Sequence, residues 1–99
     1  MIDKILINKL LKEKNYNAII DVLNKEYYSI IKDFLIKNNI KLENNETLLD
    51  LLNILETNFP KHKGVSKVLK TTLLLEEIDD ADIINSLTDN YIPIKNRLT

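Results

Sequence analysis

The chain has 99 residues, of which 44% are hydrophobic and 29% charged, and its formal net charge at pH 7 is −1. This length and composition predict one globular domain, residues 1–99, with a core that needs no disulfide or metal to hold it. The balanced charge does not favour a large nucleic-acid-binding surface, and the absence of cysteine excludes disulfides, thiol catalysis and thiolate metal sites.

Turn-forming residues are scarce, since glycine occurs once and proline twice. A sheet protein needs such residues every few positions, so we predict an all-α bundle of four to five helices. No apolar run approaches the ~20 residues that span a bilayer. The N-terminal residues, MIDKILINKLLKEK, lack the uninterrupted apolar segment of a secretion signal. We therefore expect a cytoplasmic protein without membrane association.

The first predicted helix runs from Ile2 to about Lys14. Its lysines are expected to face water, and Asp3 lies in the first turn, where its charge is favourable against the helix dipole. The apolar stripe is predicted to contain Ile2, Ile5, Leu6 and Leu10, with Ile7 and Leu11 at its edge. A basic amphipathic helix can bind a membrane surface or a partner. Because the stripe has no Trp or Phe, packing on the core is the better interpretation.

The second predicted helix, from Asn17 to Lys37, is the longest element, and the others are expected to pack around it. Its apolar residues recur at spacings of three and four, which places them on one face. The face consists of Ile20, Leu23, Tyr27, Ile30 and Phe34, widened by Ile19, Ile31 and Leu35. Asn15 or Asn17 can cap the start of the helix. Asn38 and Asn39 end it, because asparagine tolerates left-handed backbone.

The third predicted helix begins near Thr47, which forms a capping-box pattern with Asp50. It ends at or before Phe59, because the residue that precedes a proline avoids helical geometry. Its apolar face contains Leu48, Leu51, Leu52, Leu55 and Phe59, broadened by Leu49 and Ile54. The next five residues, PKHKG at 60–64, are predicted to form a loop. Ser66 or a neighbour is expected to cap the fourth helix.

The fourth predicted helix runs to about Glu77, and the fifth repeats the spacing of the second. The inward residues of the fourth helix are predicted to be Val65, Val68, Leu69, Thr72 and Leu73, and those of the fifth are Ile84, Leu87, Tyr91, Ile94 and Leu98. Pro93 predicts a kink or a restart in the fifth helix. Between the two helices, Asp79 and Asp80 are natural N-caps. The acidic run here lacks the glycine and alternation of an EF-hand loop, so capping is preferred over a cation site or an acidic docking patch.

The single histidine, His62, lies between Lys61 and Lys63 in the predicted loop. No orienting carboxylate or nucleophile is near it in sequence, and no second histidine or cysteine accompanies it. A solvated loop histidine is therefore preferred over a general base or a metal ligand. The neighbouring lysines can contact phosphates or simply form a solvated face. No cofactor or metal is expected.

Tyrosine combines apolar area with a polar tip and is favoured at interfaces. Tyr27 belongs to the apolar face of the second helix, whereas Tyr16 and Tyr28 lie partly off it. We take Tyr16 and Tyr28 as candidate partner contacts. The other candidate partner contacts are Lys61, His62, Lys63 and Arg97.

The segment 18–52 combines a long helix of small and large apolar residues, a short loop and a leucine-rich helix. Its defining residues are Ala18, Val22, Leu35, Ile36, Ile40 and the run ETLLDLL at 46–52. This pattern resembles the front half of a HEPN domain, of the kind found in abortive-infection and toxin–antitoxin proteins. The C-terminal Tyr91 and Asn96-Arg97 are similar to the last HEPN helix, in which an arginine opens an Arg-x(4–6)-His ribonuclease motif.

The ribonuclease motif is incomplete here, because only Leu98 and Thr99 follow Arg97 and the sole histidine lies upstream. The resemblance therefore implies a non-catalytic relative, or a chain that stops short of the histidine, that works as a homodimer or with a protein partner. We expect a non-enzymatic interaction protein of a prokaryotic or phage conflict system. The alternatives are a HEPN-type ribonuclease component that needs residues from elsewhere, and a small immunity or inhibitor protein that binds a toxin or nuclease.

Overall fold

The computed structural model describes residues 2–73 and 80–98. Within these ranges all regular structure is helical, which confirms the predicted all-α bundle. The helices are α1 (Lys4–Lys12), α2 (Tyr16–Lys37), α3 (Leu48–Asn58), α4 (Lys63–Thr72), α5 (Ala81–Asp89) and α6 (Tyr91–Arg97), with a 3-10 turn at Pro60–His62 that leads into α4. In the described residues, no helix is both long enough and apolar enough to cross a membrane.

The long helix α2 is the central element, as predicted, and packs against α1, α3 and α5. Its start is capped by the side chain of Asn15, whose Oδ1 accepts from the amide of Ala18 at 3.4 Å. Its end is followed by Asn39 in the left-handed region, at φ 66°. The predicted apolar face is buried except for Ile20, which is half-buried. The fully or nearly buried residues of α2 are Ile19, Leu23, Tyr27, Ile30, Ile31, Phe34 and Leu35.

Helix α1 is rotated from the predicted orientation. Ile7 and Leu10 are buried, whereas Ile5 is 84% exposed and Leu6 is also exposed. Ile2 and Leu10 are buried as predicted. The prediction was wrong for Ile5 and Leu6, because α1 contains two overlapping apolar stripes and packing on α2 selects the one centred on Ile7. Asp3 caps the helix instead of lying in its first turn, and its Oδ1 accepts from the amides of Ile5 at 3.0 Å and Leu6 at 3.1 Å.

The capping box at the start of α3 is confirmed. The Thr47 hydroxyl accepts from the Asp50 amide at 3.2 Å, and the Asp50 carboxylate accepts from the Thr47 amide at 3.0 Å. Phe59 leaves helical geometry, with φ −133° and ψ 75°, immediately before Pro60. Leu49 was predicted to broaden the buried face of α3, but it points outward and is 47% exposed.

The predicted loop 60–64 is helical instead. Pro60 opens the 3-10 turn, which suits proline because its ring fixes φ near the helical value and its missing amide is not needed there. Ser66 does not cap α4 but is buried within it. Its hydroxyl lies 3.2 Å from the Leu52 carbonyl oxygen and 2.9 Å from a carboxylate oxygen of Glu56, and so ties α4 to α3.

Two of the predicted inward residues of α4 are not buried. Val68 is 44% exposed and Thr72 is half-buried, whereas Val65, Leu69 and Leu73 are buried as predicted. The predicted end of this helix near Glu77, and the acidic residues 76, 77 and 79, lie outside the described residues. Asp80 caps α5 as predicted, since its carboxylate accepts from the Asp82 amide at 2.8 Å.

The fifth predicted helix divides into α5 and α6 at Asn90, and all five of its predicted inward residues are buried. The restart was predicted, but it occurs three residues before Pro93. Pro93 therefore falls in the first turn of α6, where a missing amide is tolerated. The amide of Ile94 donates to the carbonyl of Asn90 at 3.0 Å, which joins the new helix to the junction residue.

Candidate functional site

Tyr28 lies at a surface groove between α2 and the start of α3, which we call the α2–α3 groove. The groove has a volume of about 530 Å³ and is lined by Asn24, Lys25, Tyr28, Thr47, Leu48 and Leu49. The Tyr28 hydroxyl donates to the carbonyl of Glu46 at 3.1 Å. The ammonium group of Lys32 lies 5.7 Å from the centre of the Tyr28 ring, within cation–π distance.

The two adjacent tyrosines of α2 have different environments. Tyr27 is 0% exposed and belongs to the core, whereas Tyr28 is half-buried and keeps part of its ring at the surface. Tyr16, the other tyrosine predicted as a partner contact, is the first residue of α2 and is also half-buried against the core. Of the two candidates, Tyr28 is the one that lines the α2–α3 groove, whose volume could hold a partner's side chains.

His62 is not the solvated loop residue that the sequence predicted, since it is only 8% exposed. Its ring meets the ring of Phe34 edge to face, with centroids 5.2 Å apart, and its Nε2 is buried without a hydrogen-bond partner. Burial lowers the pKa of His62, and the positive charges of Lys61 and Arg97 lower it further. The loop was expected to be solvated because its composition is polar, but the 3-10 turn directs the imidazole inward. His62 is therefore poorly placed as a direct partner contact.

The remaining predicted contacts, Lys61, Lys63 and Arg97, are exposed. Arg97 lines a cavity of about 170 Å³ together with Gly64 and Pro93, so the C-terminal end of α6 lies beside the start of α4. The positive charge of Arg97 contributes to the lowered pKa of His62, but the buried imidazole is not presented to solvent. The arrangement offers an exposed cationic surface rather than an acid–base pair.

A second groove, which sequence reasoning missed, lies between the start of α1 and the start of α6. This α1–α6 groove has a volume of about 490 Å³ and is lined by Ile2, Asp3, Lys4, Ile5, Thr88, Tyr91 and Ile92. It exists because the rotation of α1 leaves Ile5 outside the core. The sequence signal for this groove is that α1 contains more apolar residues than one buried stripe can hold.

Side chains that can ligate a metal ion are not clustered in the described part of the chain. There, no group of three or more histidine, cysteine, aspartate or glutamate residues could hold a metal ion. Comparisons with protein-family models, with curated proteins and with solved structures found no significant match. The HEPN resemblance of residues 18–52 therefore stays a prediction.

Proposed function

We propose that this chain is a non-enzymatic protein-interaction module that binds a protein partner through the α2–α3 groove. The observation that carries the proposal is the position of Leu49, an exposed leucine beside the half-buried ring of Tyr28 in this groove. Protein interfaces typically have an apolar centre, and tyrosine is among the residues that contribute most of their binding energy. Asn24 and Lys25 give the groove a polar rim, as such interfaces have.

The walls of the groove are held in place before any partner binds. The hydrogen bond from Tyr28 to Glu46 fixes the aromatic wall, and the capping box of Thr47 and Asp50 fixes the start of α3, which carries Leu49. A preformed surface loses little conformational entropy on binding. The groove therefore suits a partner that inserts apolar side chains between two helices.

The setting that we propose is a prokaryotic or phage conflict system in the cytoplasm. The support for it is the resemblance of residues 18–52 to HEPN domains of abortive-infection and toxin–antitoxin proteins. Tyr28 and Leu49 both lie in that segment. A small immunity or inhibitor protein would use the same groove, and the identity of its partner, a toxin or nuclease, would distinguish that role.

A second candidate is a HEPN-type ribonuclease component that receives residues from another protein. The observation that favours it is the exposed cationic surface formed by Lys61, Lys63 and Arg97. Its test is metal-independent RNA cleavage by the native protein with its partner. Cleavage that is lost in Arg97→Ala would support this candidate and contradict the non-enzymatic proposal.

The proposed function is tested by co-purification of the tagged protein from its native host. We expect a protein partner that is retained by the wild type and lost in Leu49→Glu, because a charge at the centre of the groove would have to be desolvated on binding. Val68→Glu is the matched control, since Val68 is similarly exposed but lies on α4 outside the groove. A partner that is retained equally by both variants would show that the α2–α3 groove is not its binding site.

A further inference from the structure

The walls of the α2–α3 groove are the flanks of two helices. Its apolar lining comes from Tyr28 on α2 and from Leu48 and Leu49 on α3. All regular structure in the described residues is helical, so the groove has no strand edge with which an extended peptide could pair. Such a peptide would leave its own amides and carbonyls unpaired against the apolar lining, whereas a helix pairs them internally. The groove therefore fits a helix of the partner.

One positive charge belongs to the lining of this groove. Among the described residues that line it, Lys25 is the charged one, and its side chain is exposed. In the part of the chain that the structure describes, Lys25 has no carboxylate within ion-pair distance. A partner that covers the groove gains from a carboxylate placed at Lys25 and loses from a cation there.

The acidic residues of α2 that are close to Lys25 in sequence do not lie in the groove. Asp21, one turn before Lys25, is exposed and is not part of the lining. The carboxylate of Glu26, the next residue, accepts from the Tyr91 hydroxyl at 3.1 Å and is therefore directed toward α6. The positive charge of Lys25 stays available to a partner.

The carboxylates near the start of α3 are held by the local backbone. Asp50 accepts from the Thr47 amide at 3.0 Å, at a helix N-terminus that favours negative charge. Glu46 accepts from the amide of Glu43, and this hydrogen bond and the charge of Lys32 lower the pKa of Glu46. The negative charges on this side of the groove are thus compensated within the chain.

We infer that the α2–α3 groove binds an acidic amphipathic helix of the partner protein, with apolar side chains against Tyr28 and Leu49 and a carboxylate at Lys25. Helices that bind in apolar grooves do so through side chains at spacings of three and four. The carboxylate lies one turn from the apolar side chains, because residues three or four apart are neighbours on a helix surface. This inference rests on the proposed function and adds the chemistry of the partner.

Single-stranded RNA fits the same groove less well. A phosphate would pair with Lys25, but the carboxylates of Asp21, Glu46 and Asp50 lie next to the lining residues in sequence and would repel the phosphate backbone. An acidic helix presents its charge at one point and apolar side chains elsewhere. Binding of an RNA oligomer that is lost in both Lys25→Glu and Leu49→Glu would overturn the inference.

The test selects binders of the purified full chain from a displayed library of amphipathic helices. The helices are about 20 residues long, because shorter ones are marginally stable in isolation. We expect the selected helices to carry apolar residues at spacings of three or four and an Asp or Glu one turn away. Selection of Lys or Arg at that position, selection of uncharged residues there, or failure to enrich any helix would contradict the inference.

Charge reversal at Lys25 identifies the contact. Lys25→Glu should weaken the binding of a selected helix roughly tenfold, because it places two carboxylates together. A helix whose acidic residue is replaced by lysine should bind Lys25→Glu more tightly than it binds the wild type. Lys67→Glu is the matched control, since Lys67 is exposed on α4 outside the groove, and it should leave binding unchanged. A helix that binds Lys25→Glu as tightly as the wild type would show that Lys25 is not its contact.

The inference and the proposed function fail separately. A native partner that is lost in Leu49→Glu but retained by Lys25→Glu contradicts only the acidic character of the bound helix. A native partner that is indifferent to Leu49→Glu contradicts the α2–α3 groove as the binding site.

Discussion

The hydroxyl of Tyr27 donates a hydrogen bond to the carbonyl oxygen of Leu87, and so joins the middle of α2 to α5 within the core. The ring of Tyr27 also meets that of Tyr91 edge to face, with centroids 5.5 Å apart, and the Tyr91 hydroxyl donates to Glu26 at 3.1 Å. Burial and the Glu26 carboxylate raise the pKa of Tyr91 to about 12, and burial raises that of Tyr27 as well. Both hydroxyls therefore stay protonated and act as donors at neutral pH.

Tyr27→Phe should destabilise the protein by about 1–2 kcal/mol, because it removes a buried donor and leaves the Leu87 carbonyl without this partner. Tyr28→Phe is the matched control in the next residue. The hydroxyl of Tyr28 donates to a carbonyl in a half-buried position, where a water molecule can take its place. The loss of stability should therefore stay below about 1 kcal/mol. The measurement is the free energy of unfolding from urea titration. Equal losses in both variants would show that burial does not distinguish the two hydroxyls.

The stability of the protein should decrease as the pH falls through 6.5, the ordinary pKa of histidine. The pKa of His62 is lowered in the folded state, so the unfolded chain binds more protons between the two pKa values, and acid favours unfolding in that window. His62→Phe retains an aromatic ring against Phe34 and removes the titration. Because His62 is the only histidine, this variant should show a flat free energy of unfolding between about pH 7.5 and about pH 5.5. A slope that persists in the variant would assign the effect to other groups.

Thr47→Ala should cost about 1 kcal/mol of stability, because it removes the side-chain cap of α3 and half of the capping box. Thr71→Ala provides the comparison, since the Thr71 hydroxyl bonds to carbonyls within its own helix. Alanine favours the helix interior, so Thr71→Ala should leave stability unchanged or slightly raised. The midpoint of thermal unfolding for both variants checks the prediction, which fails if Thr47→Ala is neutral.

Gly64→Ala should stabilise the protein by about 0.5–1 kcal/mol, because glycine lowers helix stability through the freedom of the unfolded chain. Gly64 lies in α4 with ordinary helical backbone, and a Cβ added there would meet nothing within 4 Å. Urea unfolding of the variant measures the gain. A loss of stability would indicate that the backbone at this position needs the freedom of glycine.

The sequence predicted the structure best where the pattern of residues was compatible with only one arrangement. The apolar face of α2 and the capping box at Thr47 are defined by spacing along a single helix, and both are present in the structure. The orientation of α1 was not predictable in this way, because Ile5 and Ile7 belong to competing stripes and only packing on α2 decides between them. The α1–α6 groove depends on that choice.

The residues around His62 show a second limit. A segment of proline, lysine, histidine and glycine has the composition of a loop, and its polar residues predict solvation. The segment is helical for two reasons. The backbone geometry of Pro60 suits the first turn of a helix, and Val65 and Leu69 are buried where α4 packs against α3. The burial of His62 follows from that tertiary packing, which no local pattern reveals. Among the predicted partner contacts, Tyr28 lines the α2–α3 groove of about 530 Å³, whereas Arg97 lines a smaller cavity of about 170 Å³.

The link between Tyr27 and Leu87 also has a consequence for the order of folding, because it spans 60 residues of chain. Helices α1 to α4 contact their sequence neighbours, so they can associate after short loop closures, whereas α5 and α6 must return over a long distance to reach α2. We therefore expect docking of these two helices to be the late event in folding. Late contacts act mainly on the unfolding rate. The loss of the Tyr27 hydroxyl should accelerate unfolding while leaving the folding rate almost unchanged.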